Sequence, residues 1–439
     1  MQRRTILKAG LGLAGLPLLS RFAFAADQKP VAFWYESASP ENQEDLNNLL
    51  ATPFNAAHPG DLLSIDFRGS DLDKQLRIAM LSGTGPDVVF TAGPSYVAAM
   101  AQAGQLLPLD DYAQKLGWND RLLPLFLDMG KYNGKLYALA KTYETLGLFY
   151  NKTLFATNGW KAPTTIAELE SLADEMKAKG LVPFGAGNAD WRPTNEHYVS
   201  IVLNSVAGPE NVYKALTGAI PWTDPAFVAA IDKLNEWWEK GYFGDNYFSL
   251  TGEQAFAQIA TGQAGMAPTG TWNFSNIAAY FPANNAEAGF VGFPSMTGDP
   301  VYALGVGSTF SINAQSANQD GAAAVIDYVF SDDFYGTINS AWQGEWNLPL
   351  KDLSKVKLSD KVLPLYTETM KSLSDAVGAG RYGYTTWTFL PPATDTYLVS
   401  GMEEVWLKKI SSADFLKKLD ESFKAEKDAG KVPAIPPRT

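Results

Sequence analysis

Val31-Ala32-Phe33-Trp34-Tyr35 is a short apolar and aromatic run that closes in polar Glu36-Ser37. It reads as a buried strand ending in a loop. Glu41 to Ala56 then places Leu46, Leu49, Leu50 and Phe54 on one helical face. His58-Pro59-Gly60-Asp61 marks a turn, with His58 expected to be exposed, and residues 62–67 form a second strand. Asp71 to Ser82 is a helix closed by Gly83-Thr84-Gly85-Pro86, and Asp87-Val88-Val89-Phe90 is a third strand. Strands alternating with helices predict an α/β fold with a parallel, doubly wound sheet. In such sheets ligands bind beyond the carboxyl ends of the strands. That rule points to Glu36, Ser37 and the loop 92–96, which ends in Tyr96.

Working outward, residues 164–238 read as mostly helical, with Thr164 or Thr165 as the N-cap of the first helix and Glu168 in its first turn. Gly252 to Ala260 and Gly321 to Phe330 are further helices, and Ala303 to Ile312 is a strand-like run containing Gly305 and Gly307. Those two glycines either let a ligand approach the backbone or are ordinary strand or bulge glycines. The Pro-rich tail from Gly430 reads as an extended surface strap.

The 439 residues are enough for two or three domains, and 46% hydrophobic with 19% charged residues is a globular balance. A formal charge of -12 does not suit a phosphate backbone, so no nucleic-acid partner is expected. The chain has no Cys, which excludes disulfides, thiolate metal sites and a Cys-linked lipid anchor. Only His58 and His197 are present, so neither a metal site nor a His-dependent triad is expected, and no cofactor is implied. Twelve Trp residues suit flat apolar recognition surfaces as well as an aromatic core.

Residues 1–25 read as an export signal: Arg3-Arg4 of twin-arginine type, an apolar run from Ala9 to Leu19, and Ala23-Phe24-Ala25 as a cleavage site. Their removal takes away four basic residues and no acidic one, moving the net charge from -12 to -16. The expected mature chain is soluble, with no membrane insertion, in the periplasm of a Gram-negative bacterium.

Further segments carry a resemblance. Gly83-Thr84-Gly85-Pro86-Asp87-Val88, Gly104-Gln105-Leu106-Leu107-Pro108-Leu109-Asp110, Glu144 to Tyr150-Asn151-Lys152, Asn158-Gly159-Trp160 to Thr165, and Gly262-Gln263-Ala264-Gly265-Met266 followed by Gly270-Thr271-Trp272 occur in one order. In that order they resemble the family-1 extracellular solute-binding proteins. Ile166 stands where the family usually has an aromatic residue. The resemblance implies two Rossmann-like lobes with a hinge and an interlobe cleft, of the class II periplasmic-binding-protein type. It also implies a monomer that captures a sugar or oligosaccharide without catalysis and delivers it to an ABC transporter permease. The lobes expected are residues 26–143 with 301–345, and 144–300 with 346–439.

A pyranose offers apolar C–H faces and a rim of hydroxyls, so its sites pair indoles and phenols with carboxylates, amides and guanidinium groups. The resemblance places a sugar-stacking role on Trp272 and a ligand-binding carboxylate on Glu144. It also places contacts in the loop holding Asn188, Asp190, Trp191 and Arg192, and in the segment Arg381 to Trp387. There Tyr382, Tyr384 and Trp387 remain open alternatives. An anionic sugar derivative or glycerol phosphate would call on Arg192 or Arg381. A polyamine would call on aromatics and acids, and a glycoside hydrolase on paired carboxylates.

Overall fold

The computed structural model describes residues 28–36, 40–190 and 192–438. Nine strands form one mixed sheet: β1 (Lys29–Tyr35), β2 (Asp61–Phe67), β3 (Val88–Thr91), β4 (Leu139–Asn151), β5 (Val182–Phe184), β6 (Ala264–Gly270), β7 (Ala288–Gly292), β8 (Tyr302–Ile312) and β9 (Tyr382–Tyr384). The main order is β2-β1-β3-β8-β4-β6-β5, with β7 beside β4 and β9 beside β8. The helices used below are α1 (Leu72–Ser82), α2 (Pro94–Gln102), α3 (Ile166–Ala178), α4 (Gly252–Thr261), α5 (Thr386–Phe389) and α6 (Pro392–Trp406).

The first strands behave as their pattern requires. Val31, Phe33 and Tyr35 alternate inward on β1, which pairs in parallel with β2 from Lys29↔Asp61 to Tyr35↔Phe67, and with β3 at Phe33↔Val88. The α1 helix stops at Gly83, whose φ of 72° belongs to the left-handed region. Thr165, rather than Thr164, caps α3, and Glu168 completes a capping box.

The sheet is not parallel throughout. The β8 strand runs antiparallel to both β3 and β4, and β4 runs antiparallel to β6 and β7. The β-α alternation near the start predicts parallel neighbours only for that segment, whereas β4 and β8 are long return strands whose pairing is set from far away in the chain. His58 also departs from expectation. Its ring lies 4.4 Å from that of Phe54 at 14°, with Tyr328 edge-on, so it is half-buried.

Two cores flank the sheet's midline. One gathers Val31, Phe33, Phe54, Phe90, Trp118, Leu139, Phe310, Ile312 and Trp346. The other gathers Leu146, Leu148, Phe184, Val202, Trp237, Val306, Tyr384, Trp387 and Phe415. Both β4 and β8 pass from one core to the other. Leu139↔Phe310 lies in the first and Leu146↔Ala303 in the second, with Thr142↔Ser308, Tyr143↔Val306 and Glu144↔Gly305 between them. The register slips on either side of Ser308, leaving Gly307 in a bulge. Ala303, Leu304 and Val306 pack in the second core, while Trp346, Leu348 and Leu350 pack in the first. The 143/144 boundary falls within β4, a strand that runs through both cores.

Among the described residues no helix is long and apolar enough to cross a membrane. The expected export signal, residues 1–25, lies outside the described residues.

Candidate functional site

The polar waist between the two cores is where charge and aromatic surface converge. Glu144 stands on β4 inside this waist and is only 5% exposed. Gly307 makes room for it: a Cβ there would collide with the Glu144 carboxylate. Gly305 makes room in the same way for the hydroxyls of Thr385 and Thr388. Both glycines thus accommodate side chains of this chain, which answers the choice left open for them.

Other carboxylates face Glu144 from both lobes. Glu36 follows the end of β1, and Glu345 sits in the loop before Trp346. That loop is held against β4 by Thr142 Oγ1 donating to the Glu345 carbonyl (2.5 Å) and Asn347 Nδ2 donating to the Tyr143 carbonyl (2.9 Å). Burial raises Glu144 to about 8, with Glu345 and then Glu36 adding to the rise and Lys141 opposing it. Burial likewise raises Glu345 to about 7 against the pull of Lys141. Glu196, in the helical turn Thr194–Val199, is pushed up by burial and then by Glu144, Asp395 and Glu36. Asp73 on α1 and Asp395 on α6 each rise to about 6, chiefly through burial. Tyr96 on α2 is half-buried and held neutral by burial, then by Asp73 and Asp395.

Lys141 is the buried counter-charge. Its ammonium donates to the Tyr35 hydroxyl at 3.1 Å and lies 4.7 Å from the Trp346 ring, 5.2 Å from Tyr35 and 5.3 Å from Phe90.

The aromatic wall comes from the second lobe. Trp272 follows β6 in the turn Thr271–Asn273, and its ring folds back over Gly270, where a Cβ would strike it. The His197 ring lies on it at 5.6 Å and 27°, and Trp387 meets it edge-on at 6.5 Å and 84°. His197 shares a 2.9 Å hydrogen bond between Nε2 and Thr269 Oγ1, and burial lowers it to about 3, so the ring is neutral. Trp387 on α5 is 6% exposed, and among the described residues its indole N–H has no hydrogen-bond partner. Its carbonyl accepts from Ser95 Oγ of α2 at 3.4 Å, which joins the two lobes across the site.

The expected residues therefore divide. Glu36, Tyr96, Glu144, Trp272 and Trp387 converge on the waist. Asn188 is occupied elsewhere: its Nδ2 donates to Glu403 Oε1 (2.8 Å) and its Oδ1 accepts from Thr194 Oγ1 (3.0 Å). Asp190 accepts from the Gly252 N–H at the start of α4 (3.2 Å). Arg192 is exposed and pairs with Glu403 at 2.8 Å rather than with Asp190. Tyr384 is fully buried and donates to the Pro436 carbonyl of the tail (3.0 Å). Tyr382 is buried in the same core, and Arg381 is exposed near Tyr302. Ser37 and Trp191 lie outside the described residues. Asp73, Lys141, Glu196, His197, Glu345 and Asp395 join the waist although the sequence reading did not select them.

The model of the bacterial extracellular solute-binding protein family matches residues 34–334. The chain belongs to this family. Its fold places the waist between the family's two lobes. A multiple sugar-binding protein of Streptococcus mutans is 27% identical over 306 residues, covering 66% of this chain and 71% of that protein. The diacetylchitobiose binding protein NgcE of Streptomyces coelicolor is 24% identical over 377 residues, covering 76% and 77%. Among solved structures, a chitin oligosaccharide binding protein superposes with a TM-score of 0.79 at 22% identity, over 92% of this chain and 99% of that one. That likeness concerns the fold. The two-lobed α/β architecture expected from the sequence is the architecture of these neighbours.

Proposed function

We propose that this member of the family is the substrate-binding component of an ABC importer, capturing a sugar or oligosaccharide between its lobes and handing it to the permease. The observation that carries the reading is the convergence at the waist of a half-buried indole, Trp272 in the turn after β6, and a buried carboxylate, Glu144 on β4. A ring face suits the C–H surface of a pyranose, and carboxylates accept from its hydroxyls in charge-assisted bonds. The sugar-binding relatives favour the same ligand class. Glu144 and Glu345 are then hydroxyl acceptors rather than a catalytic pair, so the protein is read as a binder and not an enzyme. An anion clamp has the least support, because Arg192 is paired with Glu403 and Arg381 is exposed.

The proposal includes export by residues 1–25, of twin-arginine type, to the periplasm of a Gram-negative bacterium, and a monomeric mature chain; these rest on the sequence. The test is thermal unfolding of the purified protein against mono-, di- and trisaccharides, sugar acids and polyamines. A ligand at a hundredfold excess over its dissociation constant adds about 2.7 kcal/mol of stability. Stabilisation by a saccharide class that is lost in Trp272→Ala supports the reading. Stabilisation only by anions, or sugar turnover dependent on Glu144, overturns it.

A further inference from the structure

We infer that the ligand carries a protonated amine: within the saccharide reading above, on which this inference rests, the ligand class is an amino sugar rather than a neutral or acidic one. The first observation is the charge facing the waist from every element around it. Carboxylates come from Glu36 after β1, Asp73 on α1, Glu144 on β4, Glu196 in the turn Thr194–Val199, Glu345 before Trp346 and Asp395 on α6. Among the described residues, Lys141 and Arg77 are the cations that act on these six. Lys141 is already held by the Tyr35 hydroxyl and three rings. Arg77 is exposed and acts on Asp73 and Tyr96. Arg192 is engaged by Glu403.

The second observation is independent of that tally, because it concerns hydrogen bonding. Glu144 is 5% exposed, and its carboxylate stands against the bulge at Gly307. The Trp387 indole N–H, 6% exposed, has no hydrogen-bond partner among the described residues. Buried polar groups in folded proteins are satisfied, so this unmet donor asks for a ligand that supplies an acceptor, while the acids around it ask for one that supplies donors. A neutral sugar could meet each bond. It would leave each acid either to hold its proton or to stand as enclosed negative charge as the lobes close and water departs, where charges interact more strongly. An ammonium offers three donors and cancels charge, while the remaining ring hydroxyls can accept from Trp387. The indole face of Trp272 beside it also attracts a cation.

The experiment is isothermal titration of the purified protein at neutral pH with matched sets of hexoses, N-acetylhexosamines and hexosamines, as monosaccharides and as linked disaccharides. The amine form should bind roughly tenfold or more tightly than its hydroxyl and acetamide counterparts, an ion pair with several donors in place of a single neutral donor. Glu144→Gln and Glu345→Gln should shrink that preference while retaining cooperative unfolding. Equal or tighter binding of the hydroxyl or acetamide form by the unaltered protein overturns the inference and leaves the proposed function standing. Spermidine binding in place of every saccharide overturns the amino-sugar assignment and the sugar reading, while failure of all saccharides and spermidine removes both proposals.

Discussion

Replacing Glu144 by Gln should make the ligand-free protein more stable while impairing binding. Burial, Glu345 and Glu36 raise this carboxyl from 4.5 to about 8. A raised acid holds its proton more tightly in the folded state. Stability is therefore greatest below the unfolded value and is lost as pH climbs towards 8. Between the two values the group must take up a proton to fold, at about 1.4 kcal/mol for each pH unit above its unfolded value. That cost is about 3 kcal/mol near pH 7 and under about 1 kcal/mol near pH 5. Gln keeps the shape without the charge and abolishes it. With roughly 2 cal/mol/K of unfolding entropy per residue, the gain is a rise in Tm of about 3–4 °C near pH 7 and about 1 °C or less near pH 5. Differential scanning calorimetry of both proteins, without ligand, at the two pH values measures it. A gain of equal size at both, or none near pH 7, would show that the folded state carries Glu144 ionised and solvated, and the reasoning fails.

Trp272→Ala should weaken saccharide binding by about 30-fold or more, the scale of a buried aromatic anchor, with Trp272→Phe intermediate; unchanged affinity by calorimetry would remove Trp272 from the site. Gly270→Ala should displace the same indole, since its Cβ would meet the Trp272 ring, giving an altered near-UV circular dichroism spectrum and a matching loss of affinity with the far-UV spectrum unchanged. Arg192→Gln should leave affinity within about twofold and stability within about 1 kcal/mol, because the pair with Glu403 is partly exposed; a tenfold loss of affinity would restore Arg192 as a ligand contact. Tyr384→Phe should cost about 1 kcal/mol of stability through the lost bond to the Pro436 carbonyl and leave ligand affinity unaltered.

Local pattern carried the reading where neighbours in sequence are neighbours in space. The alternation in Val31 to Tyr35 and the glycine stop after α1 are of that kind, and the strand-end rule brought Glu36 and Tyr96 to the waist. Glu345 could not be found that way. It reaches Glu144 because Asn347 bonds to the Tyr143 carbonyl, a contact spanning 204 positions. Asp73, Glu196 and Asp395 likewise meet only after both lobes have formed. The segment Arg381 to Trp387 shows the opposite difficulty. On the short strand β9, Tyr382 and Tyr384 are both buried, and Tyr384 is fixed by the tail. The chain then turns into α5 and carries Trp387 to the lobe boundary. Three aromatics within six residues look alike in sequence, and the strand-to-helix break separates their fates. In the loop 188–192, polar residues that suit a sugar instead bind Glu403 and the start of α4.

The site and the hinge occupy the same stretch of sheet, and this follows from how β4 and β8 are built. Each strand must leave one core and enter the other, so its middle residues can belong to neither. A polar group there escapes apolar packing on both sides, and Glu144 takes that position opposite the bulge at Gly307. Glu36 and Glu345 belong to one lobe, Glu196 and Asp395 to the other, and Glu144 feels or acts on both sets. Approach of the lobes without ligand brings these acids together at a growing electrostatic cost as water leaves. A ligand that donates hydrogen bonds or positive charge to them removes that cost only when both lobes are near. Its affinity is thus greater for the closed arrangement, which is the differential a population shift requires. Neutralising the acids by substitution should then loosen the link between binding and closure, since the lobes would no longer need the ligand to come together.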